Sequence, residues 1–331
     1  PMELVEKYGA DAMRYALLSS PVVKGENLQF DDENISDVYK KCISRLENVV
    51  TLYEMNKEDG VEASTASTDV LDRWMIARMQ ELVRDSTRGY DAYLLDDATR
   101  GIGDIIDDIS VWYTRRSRDR LKGDAGVEAK REAYETLMYV LLTLSKVMAP
   151  VMPFIAERVY KVVGGSLESV HLDAWPLAGE VDTELIKNMK NVRDVVSVGL
   201  MERTKSKINV KQPLQSITLK NTVAEEFFDL IRDEVNVKDV LIDEVLATDA
   251  VLDLTITPEL QKEGDIRKLM RAIQDKRKEL GLQPVDEVTL LISSKKDVDG
   301  PSSLTSTCKI KEIREDTTLT ENSVELSSGI L

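Results

Sequence analysis

Apolar residues recur three and four positions apart through most of the first two-thirds of the chain, the spacing of a single buried helix face. A Ser-Ser-Pro stop at residues 19–21 closes an opening helical segment, and an irregular stretch, "VVKGENLQF", follows. Ile35, Val38, Tyr39, Cys42, Leu46, Val49, Val50 and Tyr53 then fall on one stripe and predict one long amphipathic helix. The polar "GVEASTASTD" separates it from a second stripe through Val70, Leu71, Trp74, Ala77 and Leu82, with Thr68 or Asp69 as the expected N-cap. A third carries Leu95, Ala98, Ile102, Ile105, Ile106, Ile109, Trp112 and Tyr113. A fourth is expected from Val127 to Met148, where "APVMP" breaks it, and "FIAERVYKVVGG" supplies a fifth that stops on glycine. Short connections between antiparallel helices predict a bundle.

The texture changes near residue 180. One more helix, over 182–205, leads into alternating short elements. "SITLK", "KDVLID", "VLDLTI" and "EVTLLIS" predict strands, and "VAEEFFDLIRDEV" and "PELQKEGDIRKLMRAIQDKRKEL" predict helices. The fold class expected is mainly α, an antiparallel helical bundle followed by a small α+β domain. Beyond Lys295, "KKDVDGPSSLTSTC" reads as loop, with a last candidate strand at "SVEL". The sequence shows no internal repeat.

Composition narrows the function classes. The 331 residues leave room for two or three domains, and 42% hydrophobic with 31% charged residues describes a globular chain. No apolar run approaches the roughly 20 residues of a bilayer span, so no membrane role is expected. Cys42 and Cys308 are the only cysteines, without a CxxC pair, which argues against a disulfide framework or a cysteine zinc site and for a reducing, cytoplasmic setting. The chain opens in mid-helix with acids where a secretory leader has bases, so a piece of a longer chain is expected. With one histidine, His171, histidine triads and HExxH sites are excluded from it. No phosphate-binding GxxxxGK[ST] or GxGxxG occurs; "GIGD" at 101–104 lies inside a helix pattern and reads as a close-packing site. No catalytic residue and no metal ligand is assigned.

Charge supplies the positive signal. The net charge is −16, yet residues 110–122 hold five Arg/Lys against Asp119 alone. Residues 187–211 hold Lys187, Lys190, Arg193, Arg203, Lys205, Lys207 and Lys211 against Asp194 and Glu202, and residues 262–279 hold seven bases against four acids. In "WYTRRSRDR" (112–120), guanidinium forks match phosphate oxygens, and aromatic or guanidinium planes stack on splayed bases, which suits a single-stranded RNA loop. The competing reading makes Trp112 and Tyr113 core residues and the arginines salt-bridge partners at a helix C-terminus. The residues alone leave both open, and the same holds for the lysines after residue 200.

Several longer stretches carry a resemblance. "MELVEKYGADAMRYALLSSPVVKGENLQFDDENI", "LDRWMIARMQELV", and "APVMPFIAERVY" followed by "SVHLDAWP" occur in the order found in the C-terminal part of class I aminoacyl-tRNA synthetases of the isoleucyl/valyl/leucyl group. "DDISVWYTRRSRDR", "GLMERTKSKINVKQPL" and the stretch from Glu259 to Ile292 resemble the isoleucyl form, in its archaeal/eukaryotic-like subtype. The resemblance covers roughly residues 1–293. It implies a stem-contact region over 1–30, an anticodon-binding bundle over 31–178 and a tRNA-contacting α+β domain over 179–331. It further implies that Tyr113, Arg115, Arg116, Arg118, Arg120, Arg203, Lys205, Lys207 and Lys211 contact tRNA(Ile). Gly9, Asp11 and Arg14 are then expected to brace the signature loop of a catalytic domain lying upstream. The parent reaction joins isoleucine to its tRNA through an adenylate, with ATP and Mg used by the full-length enzyme. This chain lacks the two-histidine motif, and "TKSKI" (204–208) lacks the Met-Ser core of the signature loop, so the piece is expected to bind tRNA as a monomer, without a cofactor and without charging tRNA. A valyl relative and an acidic helical scaffold that binds no RNA are the alternatives.

Overall fold

A computed structural model describes residues 2–27, 31–58, 60–283, 285–292, 305 and 307–315, which divide into two compact units, 1–187 and 188–331. The first is all helix. It opens with α1 (Met2–Tyr8), α2 (Ala10–Leu18) and a 3-10 turn at Pro21–Lys24. The long helix expected through Ile35 and Tyr53 forms as α3 (Asp32–Val38) and α4 (Arg45–Met55), joined through a π-helical turn at Tyr39–Ser44. Asp31 starts it, its carboxylate accepting the Asn34 N–H at 2.9 Å.

The second helix, α5 (Val70–Asp91), begins at Asp69, whose carboxylate accepts Leu71 N at 2.9 Å and Asp72 N at 3.3 Å. The third, α6 (Leu95–Asp107), again runs into a π-helical turn, Asp108–Tyr113, before the short α7 (Thr114–Arg116) and α8 (Arg118–Lys122) end at left-handed Gly123. A π turn holds one residue more than an α turn, and at this one Trp112 and Tyr113 are both buried. The next two helices, α9 (Val127–Met148) and α10 (Pro153–Val163), take the expected places, the latter closing on left-handed Gly164.

Trp74, Met75 and Met79 of α5, Ile102, Ile105 and Ile106 of α6, and Tyr134, Leu137 and Leu141 of α9 are all buried. Each such side chain contributes about 1.5–3 kcal/mol by leaving water. Two helices, α5 and α6, approach closely at Gly89, where a Cβ would lie 2.6 Å from Ala98 N on α6. "GIGD" packs tightly too: Gly103 N–H donates to Tyr15 Oη at 2.9 Å, and a Cβ there would meet that oxygen at 2.6 Å.

The α+β part follows α11 (Thr183–Lys205). Its sheet has the order β2-β1-β3: β1 (Leu214–Leu219) lies parallel to β2 (Val237–Ile242), reached through α12 (Phe228–Val235), and antiparallel to β3 (Ala250–Leu252). The last of these is shorter than "VLDLTI" suggests, because the Asp253 carboxylate takes Thr255 N at 2.9 Å and turns the chain. A further helix, α13 (Pro258–Glu279), packs on the parallel pair β4 (Val288–Ile292) and β5 (Ile310–Glu315), with Leu269, Ile273, Cys308 and Ile310 buried between them. β5 is an element the sequence pattern did not reveal, and "SVEL" lies outside the described residues.

The absence of a repeat is corrected by hydrogen bonding. Near the end of α11, buried Arg203 donates to the carbonyls of Asn209 (3.1 Å) and Gln212 (2.8 Å), six and nine residues on, and to Val235 and Asn236 (both 2.7 Å) ahead of β2. At the end of α13, buried Arg277 donates to Gln283 and Asp286 (both 2.8 Å), again six and nine residues on, and to Cys308 (3.3 Å) ahead of β5. The acceptors are backbone atoms, so the two networks match while the side chains around them do not.

Candidate nucleic-acid interface

The arginine block divides by burial. Asp72, wholly buried at the start of α5, accepts hydrogen bonds from Tyr113 Oη (2.8 Å), Arg120 Nη1 (3.0 Å) and Nη2 (2.6 Å), and Ser67 Oγ (2.7 Å). Asp69 lies 2.9 Å from the same guanidinium. Burial first, and then the Asp72 charge, push the Tyr113 phenol well above its ordinary pKa. Tyr113 and Arg120 are therefore corrected from surface contacts to core partners of one carboxylate. Arg115 and Arg118 are exposed and Arg116 half-buried. Arg115 lies 5.8 Å from the Trp112 ring centroid and donates from Nε to Val111 O at 3.0 Å, so its plane is partly fixed before any ligand arrives.

In the second unit Arg203 is corrected in the same way: fully buried and spent on four carbonyls, it has no face for a ligand. Lys205, Lys207 and Lys211 are exposed around the turn that follows α11. Lys205 pairs with Glu202 at 2.7 Å. Burial, and then the neighbouring Arg271, hold the Lys211 ammonium below its ordinary pKa.

Gly9, Asp11 and Arg14 come together at the corner between α9 and α10. Asp11 caps α10, accepting Ile155 N at 2.7 Å and Phe154 N at 3.4 Å, while Arg14 donates to Val151 O and Pro150 O, both at 2.9 Å. Burial raises the Asp11 pKa against the pull of those N–H groups. Gly9, at φ 83°, turns the chain between α1 and α2. A groove of about 480 Å³ beside them is lined by Tyr8, Tyr39, Phe154 and Arg158. His171 is exposed in a 3-10 turn. Among the described residues no group of His, Cys, Asp or Glu is arranged for a metal, and no helix is long and apolar enough to cross a membrane.

Residues 72–218 match the family described as the anticodon-binding domain of tRNA ligase. This stretch is an anticodon-binding domain. The isoleucine–tRNA ligase of Chlamydia trachomatis serovar D is 34% identical over 253 residues, which take in 72% of this chain and 24% of that protein. Those of Leifsonia xyli subsp. xyli and Corynebacterium efficiens are 32% and 33% identical, over 88% and 82% of this chain and 33% and 26% of theirs. The chain thus spans about a quarter to a third of the length of these relatives.

The anticodon-binding domain also has a surface that the basic islands did not signal. At the far end of α5 a groove of about 580 Å³ is lined by Arg84, Arg88, Trp175 and Leu177. Trp175 Nε1 donates to Thr87 Oγ1 at 2.8 Å, and its ring meets Tyr90 edge-on with centroids 5.6 Å apart. About 18 Å of α5, from Asp72 to Arg84, separate this groove from the end that holds Arg120. The "WP" dipeptide was the available signal, and it marked a family motif rather than a groove.

Proposed function

We propose that the chain is the tRNA-binding, anticodon-arm part of an isoleucine–tRNA ligase of the archaeal/eukaryotic-like subtype. It recognises tRNA(Ile) as a monomer in the cytoplasm, beside a catalytic domain of the same chain that uses ATP and Mg. The observation that carries this reading is the match of residues 72–218 to the anticodon-binding family, together with relatives that are isoleucine–tRNA ligases. The "WYTRRSRDR" run supports the subtype. Two exposed arginines, Arg115 and Arg118, present guanidinium groups to phosphate oxygens, and the Asp72 network fixes the helix end from which they project.

Binding of tRNA(Ile) and tRNA(Val) transcripts at about 50 and about 200 mM salt tests it. The expected result is preference for tRNA(Ile), an affinity that falls steeply with salt, and a salt slope smaller by about one to two in the Arg115→Ala, Arg118→Ala double variant. Preference for tRNA(Val) would point to the valyl alternative, and no complex at low salt to a protein scaffold; either result overturns the proposal.

A further inference from the structure

The β2-β1-β3 sheet buries one face and leaves part of the other open. In β1, Ile217 is paired with Val240 of β2 and Leu252 of β3, and all three are buried. The next row, Thr218 with Leu241 and Val251, points to the opposite face, because successive side chains of a strand alternate. Leu241 is 50% exposed there and Val251 46%. In the connection between β2 and β3, Val245 is 91% exposed, and Leu254 and Ile256, just after β3, are exposed as well. Soluble proteins rarely group apolar side chains on the surface in this way without a use for them.

The charge around the row has one sign. Asp239 lies two residues before Leu241 and Asp253 two after Val251; Asp243, Glu244 and Asp249 occupy the connection between the strands, and all five are exposed. In the first unit, exposed acids such as Asp32, Asp37 and Glu47 are matched by Lys7, Lys41 and Arg158. Among the described residues, none of the five acids beside the sheet lies within ion-pair distance of a Lys or Arg, and Lys238, the one base in 238–256, is engaged with Glu263 on α13. β2 and β3 are the edges of their sheet, and a charge of either sign keeps an edge from pairing with a stray strand. Edge protection therefore accounts for charge, but not for five unmatched acids beside an apolar row.

We propose that the open face of this sheet, centred on Leu241 and Val251, is a docking surface for another protein, through a segment that carries lysines or arginines among apolar side chains. Complementary charge selects this occupant. RNA and anionic lipid present phosphate, which the acids repel, and a second copy joined through the same face would set five acids against five. The site goes beyond the tRNA-binding reading and does not depend on it.

The test titrates the whole chain with three labelled peptides of equal length: an amphipathic Lys/Leu peptide, its Glu/Leu counterpart, and a Lys/Ser peptide that has the charge without the apolar positions. The Lys/Leu peptide is expected to bind, more weakly as salt rises, and the other two at least about tenfold less tightly. Two double variants, Leu241→Thr with Val251→Thr and Glu244→Lys with Asp249→Lys, are each expected to weaken its binding about tenfold or more without lowering the unfolding temperature, threonine being well suited to a strand. Glu3→Lys with Glu6→Lys makes the same change of charge on α1 and should leave the affinity within about twofold. Equal loss in the α1 variant, equal binding of the Lys/Ser peptide, or unchanged affinity in both sheet variants overturns the site. So does a chain that light scattering shows to be a dimer and that Leu241→Thr with Val251→Thr turns into a monomer, or a tRNA(Ile) transcript whose affinity falls in that variant, since the occupant is then a second copy or RNA. If the threonine variant unfolds early, the Glu244 and Asp249 substitutions, set against those on α1, decide the question alone.

Discussion

At Asp72 a single buried carboxylate meets Tyr113, Arg120 and Ser67, so removing it leaves the Arg120 guanidinium with Asp69 and the buried Tyr113 phenol with the Ala133 carbonyl at 3.3 Å. Asp72→Ala is expected to destabilise the bundle by about 1–3 kcal/mol, read by chemical denaturation, whereas Arg118→Ala, at an exposed position, should leave the midpoint unchanged. A second carboxylate gives a pH signature. Hydrogen bonds from Lys161 and Ser169, with the Val170 N–H, lower the Glu157 pKa from 4.5 to about 2. A depressed carboxyl pKa gives stability that is present above the ordinary value and lost as pH falls through the native one. The tie between α10 and residues 169–170 should therefore loosen progressively from about pH 4.5 down to about pH 2. Amide exchange at Val170 against pH would show it; protection unchanged over that range would refute the tie. None of this was legible residue by residue. Arg118 and Arg120 are two apart in the sequence, and only the position of Asp72 on another helix decides which is drawn inward and which stays exposed.

Helices and their ends were the most legible elements, because periodicity and stop residues act locally. α9 and α10 begin and end where the apolar stripe, Pro153 and Gly164 place them. β5 was missed because its reason for forming is a partner strand rather than a local pattern, and β3 was overestimated because an Asp side chain captures the backbone. Gly89 was overlooked for a related reason: a glycine inside a helix declares nothing until the opposing backbone is placed. Gly89→Ala would drive a methyl group to 2.6 Å from Ala98 N and is expected to cost at least about 1–3 kcal/mol. Gly179→Ala, whose nearest neighbour is the Gln80 side chain, should cost much less in the same unfolding experiment.

Across the whole molecule, a polyanion meets a protein of net charge −16. On the tRNA proposal above, long-range attraction would not bring the polyanion to the surface, and contact would fall to exposed bases such as Arg115 and Arg118 within a Debye length of about 8–10 Å. The candidate site was thus legible in the sequence as islands but not as contacts. Of the residues named there, Tyr113 and Arg203 are buried and Arg120 is tied to Asp72, so these three serve the fold. The π-helical turn at Asp108–Tyr113 ties the tip of the bundle to its core in a further way. In genetic terms it behaves as a stored insertion: excising one codon from it would restore an ordinary α-helix and swing everything beyond by about 100°. Such a deletion would leave a helix-rich protein whose arginines face another direction, so this stretch should tolerate substitutions on its exposed side far better than any change in its length.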